Sequence, residues 1–141
     1  MYYAITHLNY VAVIVTAVAG FLIGWLWYSP VLFAKPWMAE MKITDEMMKA
    51  AVAKGMAGFF IKAFLCTLIS TFALAVLIAS RPTMTAIKGA GIGAFLGLLL
   101  VGMRMLNGGI WEQRSARLMS IIVGHEVALL VVQGAMLGAW L

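Results

Sequence analysis

Two ionisable side chains stand side by side inside one of the most apolar stretches of the chain. His125 and Glu126 interrupt "SIIVGHEVALLVVQG", residues 120–134, which otherwise consists mainly of Ile, Val, Leu, Ala and Gly. An imidazole and a carboxyl group can take up or release a proton, and either can bind a cation. The pair is therefore the first candidate for chemistry in this sequence, and its surroundings decide which chemistry is open to it.

The composition indicates that these surroundings are a lipid bilayer. Hydrophobic residues make up 65% of the 141 residues and charged residues only 11%, whereas about a quarter of a soluble domain is charged. The single cysteine, Cys66, leaves no disulfide within the chain and no CxxC metal site. The basic residues flank apolar segments instead of forming one polar face, so we expect no nucleic acid partner. We expect one membrane domain over residues 1–141, with the bilayer as its main partner.

Four apolar segments predict an all-α, polytopic membrane protein built as a four-transmembrane-helix bundle. Each is long enough to cross a hydrocarbon layer of about 30 Å. The predicted spans cover residues 8–28, 56–80, 86–106 and 118–141. Pro30 follows the first span and residues 107–109, Asn-Gly-Gly, are predicted to end the third. Ser115 is a predicted N-cap of the fourth.

The first loop carries an additional helix signal. Thr44 is followed by two acidic residues, which is typical of an N-cap and a first helical turn. We expect a short interfacial helix over about residues 45–55.

The positions of Lys and Arg predict the orientation. Eight of the ten lie in or beside the first and third loops, and two, Arg81 and Lys88, lie at the opposite side. Loops rich in Lys and Arg stay in the cytoplasm. We therefore expect loops one and three in the cytoplasm and both termini outside, in the plasma (inner) membrane.

Small residues recur at helical spacing and predict how the spans pack. Lipid tails are as apolar as leucine, so membrane helices associate where small residues let their backbones approach. The glycines expected at such contacts are Gly20, Gly24, Gly89, Gly93, Gly97, Gly124, Gly134 and Gly138. The short second and third loops predict antiparallel neighbours. The stripes also offer a surface for a homo-oligomer or for another membrane protein.

Glu126 has three possible roles. It lies about 12 Å into the fourth span, where an ionised acid costs about 2.5–3.5 kcal/mol. Lys62, about 9 Å into the second span from the same side, is a candidate partner, in which case the pair fixes helix register or Lys62 merely extends to the interface. Alternatively Glu126 is a titratable carboxyl of a transport path, or an intramembrane catalytic group. His125, 100° around the helix, is either an interhelical hydrogen-bonding residue or part of the same site.

A line of polar residues extends from Glu126 toward the opposite side. Gln133 shares its helix face, and Thr67, Ser70 and Thr71 could form the facing wall. Such a line resembles a permeation path, although hydroxyls in membrane helices often bond their own backbone instead.

The first span resembles a known family. "HLNYVAVIVTAVAGFLIGWLWYSPVLFAKPWM" is similar to the opening of small four-span membrane proteins classed only as a domain of unknown function, and "RSARLMSIIVGHEVALLVVQGAMLGAW" is similar to their last helix. The motif residues here are His7, Asn9, Trp27, Tyr28, Ser29, Pro30 and Trp37. The resemblance implies a fold and carries no activity with it. From the residues themselves, Asn9 is expected to cap the first helix or to bond another span.

Three classes of function remain, in a definite order. A small oligomeric transporter or channel using Glu126 is preferred to an accessory or scaffold subunit with Glu126 in a structural ion pair. The sequence contains no HExxH motif, phosphate loop or cysteine cluster. We therefore expect a protein that is not an enzyme, with no cofactor and no metal.

Overall fold

The structure is a computed structural model that describes residues 5–141. Over this range the chain is helical and contains no strand, which confirms the all-α prediction. The helices between residues 10 and 140 are α1 (Tyr10–Trp27), α2 (Ala34–Glu40), α3 (Asp45–Ala53), α4 (Ala57–Ala79), α5 (Ala86–Trp111) and α6 (Ala116–Trp140). The helix α3 is the one expected in the first loop, and α2 is an additional helix without a predicted counterpart.

Four of these helices, α1, α4, α5 and α6, are long and apolar enough to cross a bilayer. Only 22% to 44% of the most apolar window of each is buried within the chain. Large apolar side chains such as Val11, Ile69 and Ile87 are between 68% and 85% exposed. Apolar surface of this extent is stable against lipid and not against water, so the protein is embedded in a membrane.

Polar side chains cap the N-termini of several of these helices by accepting hydrogen bonds from backbone N–H groups of the first turn. The Asn9 side chain accepts a hydrogen bond from the backbone N–H of Ala12 at 3.1 Å. Thr44, Thr85 and Ser115 cap α3, α5 and α6 in the same way. The capping roles predicted for Thr44 and Ser115 are confirmed, and Asn9 takes the first of its two expected roles.

The last helix, α6, is the centre of the bundle and packs against α1, α4 and α5. Its closest neighbour is α5, because glycines of both helices meet. A Cβ at Gly89 would overlap the carbonyl of Gly134, and one at Gly93 would overlap the carbonyl of Leu130. This close backbone approach is what the glycine spacing predicts.

One predicted neighbour pair makes only weak contact. The third loop joins α5 and α6 as antiparallel neighbours, but α4 and α5 touch only weakly, and an open groove lies between them. The glycines of α5 pack closely against the backbone of α6. The helix α4 instead packs on α1 and α6, with Phe21 of α1 in edge-to-face contact with Phe60 and Phe64. The six residues 80–85 are long enough to let the two helices diverge.

The predicted end of the third span is also wrong. The helix α5 continues through residues 107–109 to Trp111. Gly109 is buried against the Met119 side chain, and a Cβ there would lie 2.5 Å from the Met119 sulfur, so this glycine serves packing and does not terminate the helix. The middle of α5, Leu96–Gly102, is π-helical. Such wide turns are rare and are often found near functional sites.

Candidate functional site

The His125–Glu126 pair forms its own contact on α6. His125 Nδ1 and Glu126 Oε1 are 3.1 Å apart, and the side chains are 13% and 29% exposed. Neighbouring residues of a helix differ by about 100° in direction, so this contact requires both side chains to turn toward each other. Imidazole and carboxyl therefore form one unit, held by a hydrogen bond when neutral and by an ion pair when the proton moves to the ring.

The aromatic end of α1 surrounds His125. The ring centroids of Trp27 and Tyr28 lie 6.0 Å and 5.2 Å from that of His125. A Cβ at Gly24 would lie 3.2 Å from His125 Nε2, so glycine at this position lets the imidazole approach the α1 backbone. His125 Nε2 is buried and has no hydrogen-bond partner among the described residues. The first two residues of the "WYSP" sequence are thus neighbours of the candidate site.

A hydrogen bond fixes α1 against α6 just beside the pair. The indole N–H of Trp27 donates to the backbone carbonyl of Ile121 at 3.1 Å. Trp27 is the last residue of α1, and tryptophans tend to lie at the membrane interface. Glu126 is five residues beyond Ile121, which places it about 8 Å deeper than this level. Glu126 therefore lies about one and a half helical turns beyond the level at which α1 ends.

The charge of Glu126 affects the pKa of Tyr28, the residue that follows α1. Burial raises the pKa of the Tyr28 hydroxyl to about 12, and the negative charge of Glu126 adds to the effect. The Tyr28 ring also contacts Trp37 of α2, with centroids 5.4 Å apart. A phenol, an imidazole and a carboxyl group are thus close together where α1 ends.

The predicted tie between Glu126 and Lys62 is absent. Among residues 5–141 the ion pairs are Arg114–Glu112 and His125–Glu126. Lys62 nevertheless lies at nearly the depth of the pair. Its neighbours Phe60 and Phe64 contact Phe21 of α1. Phe21 is less than one helical turn from Gly24, which lies beside His125. The side chain is exposed, however. It faces away from the core and is free to extend toward the interface.

Gln133 is the centre of a second polar cluster, in the interior of the bundle. Its side chain is fully buried, and its Nε2 donates to the Thr71 hydroxyl at 2.7 Å. Thr16 of α1 is equally buried. Gln133 Oε1 and Thr16 Oγ1 accept no hydrogen bond from any described residue. Sequence reasoning identified Gln133 and Thr71 but missed Thr16, whose only signal was its position four residues before Gly20, on the same helix face.

The remaining predicted wall of a path is not assembled. The hydroxyls of Thr67 and Ser70 donate to backbone carbonyls of their own helix, those of Ala63 and Thr67, at 3.0 Å and 2.9 Å. Between Glu126 and Gln133 the buried residues of α6 are Leu129 and Leu130. The polar line predicted from the sequence is therefore two separate clusters in this structure.

The other residues of the first-span motif shape the chain after α1. Ser29 is buried, and its backbone carbonyl accepts hydrogen bonds from the N–H groups of Leu32 and Ala34, both at 3.1 Å. Pro30 is exposed within this turn. His7 lies before α1, with its Nδ1 3.0 Å from the Thr6 hydroxyl. Neither His7 nor Asn9 belongs to the His125 cluster.

Metal ligands do not gather at the site in the described part of the chain. No group of three His, Cys, Asp or Glu side chains is close enough to hold a metal ion within residues 5–141. Cys66 is exposed on α4. The site is therefore defined by an acid, an imidazole and their aromatic neighbours.

Four membrane-spanning helices, three of them packed around the central α6, and one ionisable pair where α1 ends define a small multi-pass helical membrane protein. A family model described as "Protein of unknown function (DUF1761)" matches residues 11–138, and the chain belongs to that family. The match includes residues 27–30 and Trp37, and begins after His7 and Asn9. No curated protein and no solved structure matches the chain.

Proposed function

We propose that the protein is a small oligomeric transporter or channel that binds a proton or a small cation at the His125–Glu126 pair. The observation that supports this most is the pair itself: an acid 29% exposed at membrane depth whose ionisable partner is its own neighbour. Ionisable residues inside membrane spans are expensive and commonly mark ion or proton pathways.

The chemistry of the pair suits the uptake of one proton. With a single proton shared between ring and carboxyl, the unit has no net charge in either arrangement, which lowers its cost in lipid. A second proton gives an imidazolium beside a neutral acid and a net charge of +1. The ring centroids of Tyr28 and Trp27 lie 5.2 Å and 6.0 Å from that of His125, and the π face of an aromatic ring attracts a cation at such a distance.

A route through a single chain would need the helices to move. Thr16, Thr71 and Gln133 are fully buried and fill the space between α1, α4 and α6. A path is more easily built between chains, along the exposed part of Glu126, than through this packed interior. We therefore propose a homo-oligomer as the active form.

The proposed setting follows from charge. The excess of Lys and Arg in loops one and three supports a cytoplasmic position for these loops, with both termini outside; the proposed membrane is the plasma (inner) membrane. In this setting Glu126 lies nearer the cytoplasmic side. The proposal needs no enzymatic step, no cofactor, no metal and no nucleic acid.

The decisive experiment is an infrared pH titration of reconstituted protein, combined with proton flux into liposomes. Wild-type protein should show a carboxylic-acid carbonyl band that changes with buffer pH, and Glu126→Gln should remove both the band change and the flux. Glu46→Gln is the matched control, because Glu46 is an exposed acid of α3, outside the spans. Flux that persists in Glu126→Gln, or a Glu126 band that ignores buffer pH, would refute the proposal.

A second candidate is an accessory or scaffold subunit of a membrane complex, with the pair as architecture. The observation that favours it is the packed polar interior at Gln133. In that case Glu126→Gln should lower thermal stability, leave flux at the level of empty liposomes in both proteins, and change which membrane proteins copurify with the chain.

A further inference from the structure

The groove between α4 and α5 is a second feature to which no role has been assigned. Its volume is about 680 Å³. Leu77 of α4 and Ile92 and Phe95 of α5 form its apolar wall, while Arg81 and Lys88 lie at its end beside the 80–85 loop. The groove exists because α5 packs against α6 and diverges from α4. Neither His125 nor Glu126 lines the groove, and its role is independent of the proposed function.

The two cations at this end have no acidic partner among residues 5–141. All five acids of the sequence, Glu40, Asp45, Glu46, Glu112 and Glu126, lie in the first and third loops or in the opposite half of α6. No ion pair of residues 5–141 includes Arg81 or Lys88, the carboxylate of Leu141 included. Lys88 Nζ donates to the Thr83 carbonyl at 2.8 Å. It also donates to the Thr83 hydroxyl at 3.5 Å. An ammonium has three N–H donors, so one donor remains, and the positive charge is not neutralised.

The apolar part of the groove has the length and direction of a hydrocarbon chain segment. From Lys88 to Leu96, both of which line it, α5 rises about 12 Å along the membrane normal. Gly91, another lining residue, leaves its surface open, because nothing lies within 4 Å of a Cβ built there. A ligand that fits must therefore be anionic at the membrane surface and apolar below it.

We propose that this groove binds an anionic phospholipid, with its phosphate at Arg81 and Lys88 and one acyl chain along Leu77, Ile92 and Phe95. A second copy of the chain fits less well. Copies in the same orientation around an axis normal to the membrane bring identical ends together, so Arg81 and Lys88 of both would meet without an acid between them. A phospholipid supplies the missing negative charge and the missing apolar contacts in one molecule.

The test is lipid retention by the purified full-length chain, measured by native mass spectrometry with phosphatidylglycerol and phosphatidylcholine of identical acyl chains. Wild-type protein should retain phosphatidylglycerol in preference. Each cation near an anionic lipid contributes about a fivefold factor, so Arg81→Gln/Lys88→Gln should weaken its retention about 30-fold. The charge-matched control is Lys35→Gln/Lys54→Gln, two exposed lysines away from the groove, which should retain the lipid as wild type does.

Two further variants test the acyl-chain part. Gly91→Leu fills the groove and should lower retention, whereas Gly58→Leu, at an equally open glycine of α4 outside the groove, should not. Equal retention of the two lipids, unchanged retention in Gly91→Leu, or displacement of the lipid by millimolar inorganic phosphate would overturn the proposal. Efficient disulfide crosslinking of Gly91→Cys in a Cys66→Ser background would do so as well, because a second copy would then occupy the groove.

Discussion

Replacing Thr71 by valine tests whether the buried amide of Gln133 depends on a single acceptor. The Gln133 Nε2 donates to the Thr71 hydroxyl at 2.7 Å, and that hydroxyl donates in turn to the Thr67 carbonyl at 2.7 Å. Both side chains are fully buried. Valine has nearly the shape of threonine, so Thr71→Val removes the acceptor without leaving a cavity.

The expected cost follows from what each variant leaves unpaired. Thr71→Val strands a buried amide donor, which costs about 1–3 kcal/mol. Gln133→Leu removes that donor together with Oε1, which already lacks a partner, and it leaves the Thr71–Thr67 bond in place. Hydrogen bonds between membrane helices contribute about 0.6 kcal/mol on average and up to about 1.7 kcal/mol. Gln133→Leu should therefore cost less than about 1 kcal/mol, and the double variant little more than Gln133→Leu alone.

The assay is a double-mutant cycle on the free energy of unfolding in mixed micelles, with sodium dodecyl sulfate as denaturant. A coupling energy of about 1–2 kcal/mol between Thr71 and Gln133 is expected. Ser70→Ala is the matched control, because Ser70 donates to the same Thr67 carbonyl from an exposed position, and it should change stability by less than about 0.5 kcal/mol. If the two single costs simply add, or if Thr71→Val is as mild as Ser70→Ala, the buried amide is not held in the way the structure indicates.

Three further predictions concern the contacts of the central helix and the site. Gly93→Ala should destabilise the protein by about 1–3 kcal/mol, because the new methyl group overlaps an α6 carbonyl. Gly91→Ala should be neutral or stabilise the protein by up to about 1 kcal/mol. Thermal unfolding of the two variants distinguishes these outcomes. Trp27→Phe should lose about 0.6 kcal/mol in the same unfolding assay, because it removes one bond to an α6 carbonyl. Glu126→Gln should lower the pKa of Tyr28 from about 12, though burial keeps it above the ordinary value; the check is tyrosinate absorbance, with Tyr28→Phe identifying the signal, and an unchanged titration would show that the two groups do not interact.

The elements of this fold could be predicted from the sequence because each is set locally. Apolar runs longer than the bilayer is thick specify the spans, and Thr44 and Ser115 specify where α3 and α6 begin. The glycine spacing predicted close approach, and α5 and α6 meet at Gly89 and Gly134. In each case the residues that carry the signal also make the contact.

The residues that contact the His125–Glu126 pair could not be predicted. The position of a residue along its span indicates its depth in the membrane, but it does not indicate the direction in which its side chain points. Lys62 lies at nearly the depth of the candidate acid, yet its side chain is exposed. Its direction depends on how α4 rotates to place Phe60 and Phe64 against Phe21. The residues that do contact His125, Trp27 and Tyr28, had a sequence pattern that indicated a different role. Interface aromatics are expected to face lipid headgroups, and nothing in their spacing indicates that they surround His125.

The depth of the acid is set by the shortest of the four spans. The helix α1 has 18 residues, against 25 in α6, and the hydrogen bond from Trp27 to Ile121 aligns its end with the sixth residue of α6. The first turn and a half of α6 therefore extends beyond the end of α1, where α2 packs against it. Glu126 is in this way held about 8 Å below the level of Trp27, deep enough to be shielded by the rings of α1 and shallow enough to keep part of its carboxyl group exposed. A longer α1 would cover more of the same acid, so the length of this one helix contributes to how much of the Glu126 side chain stays exposed.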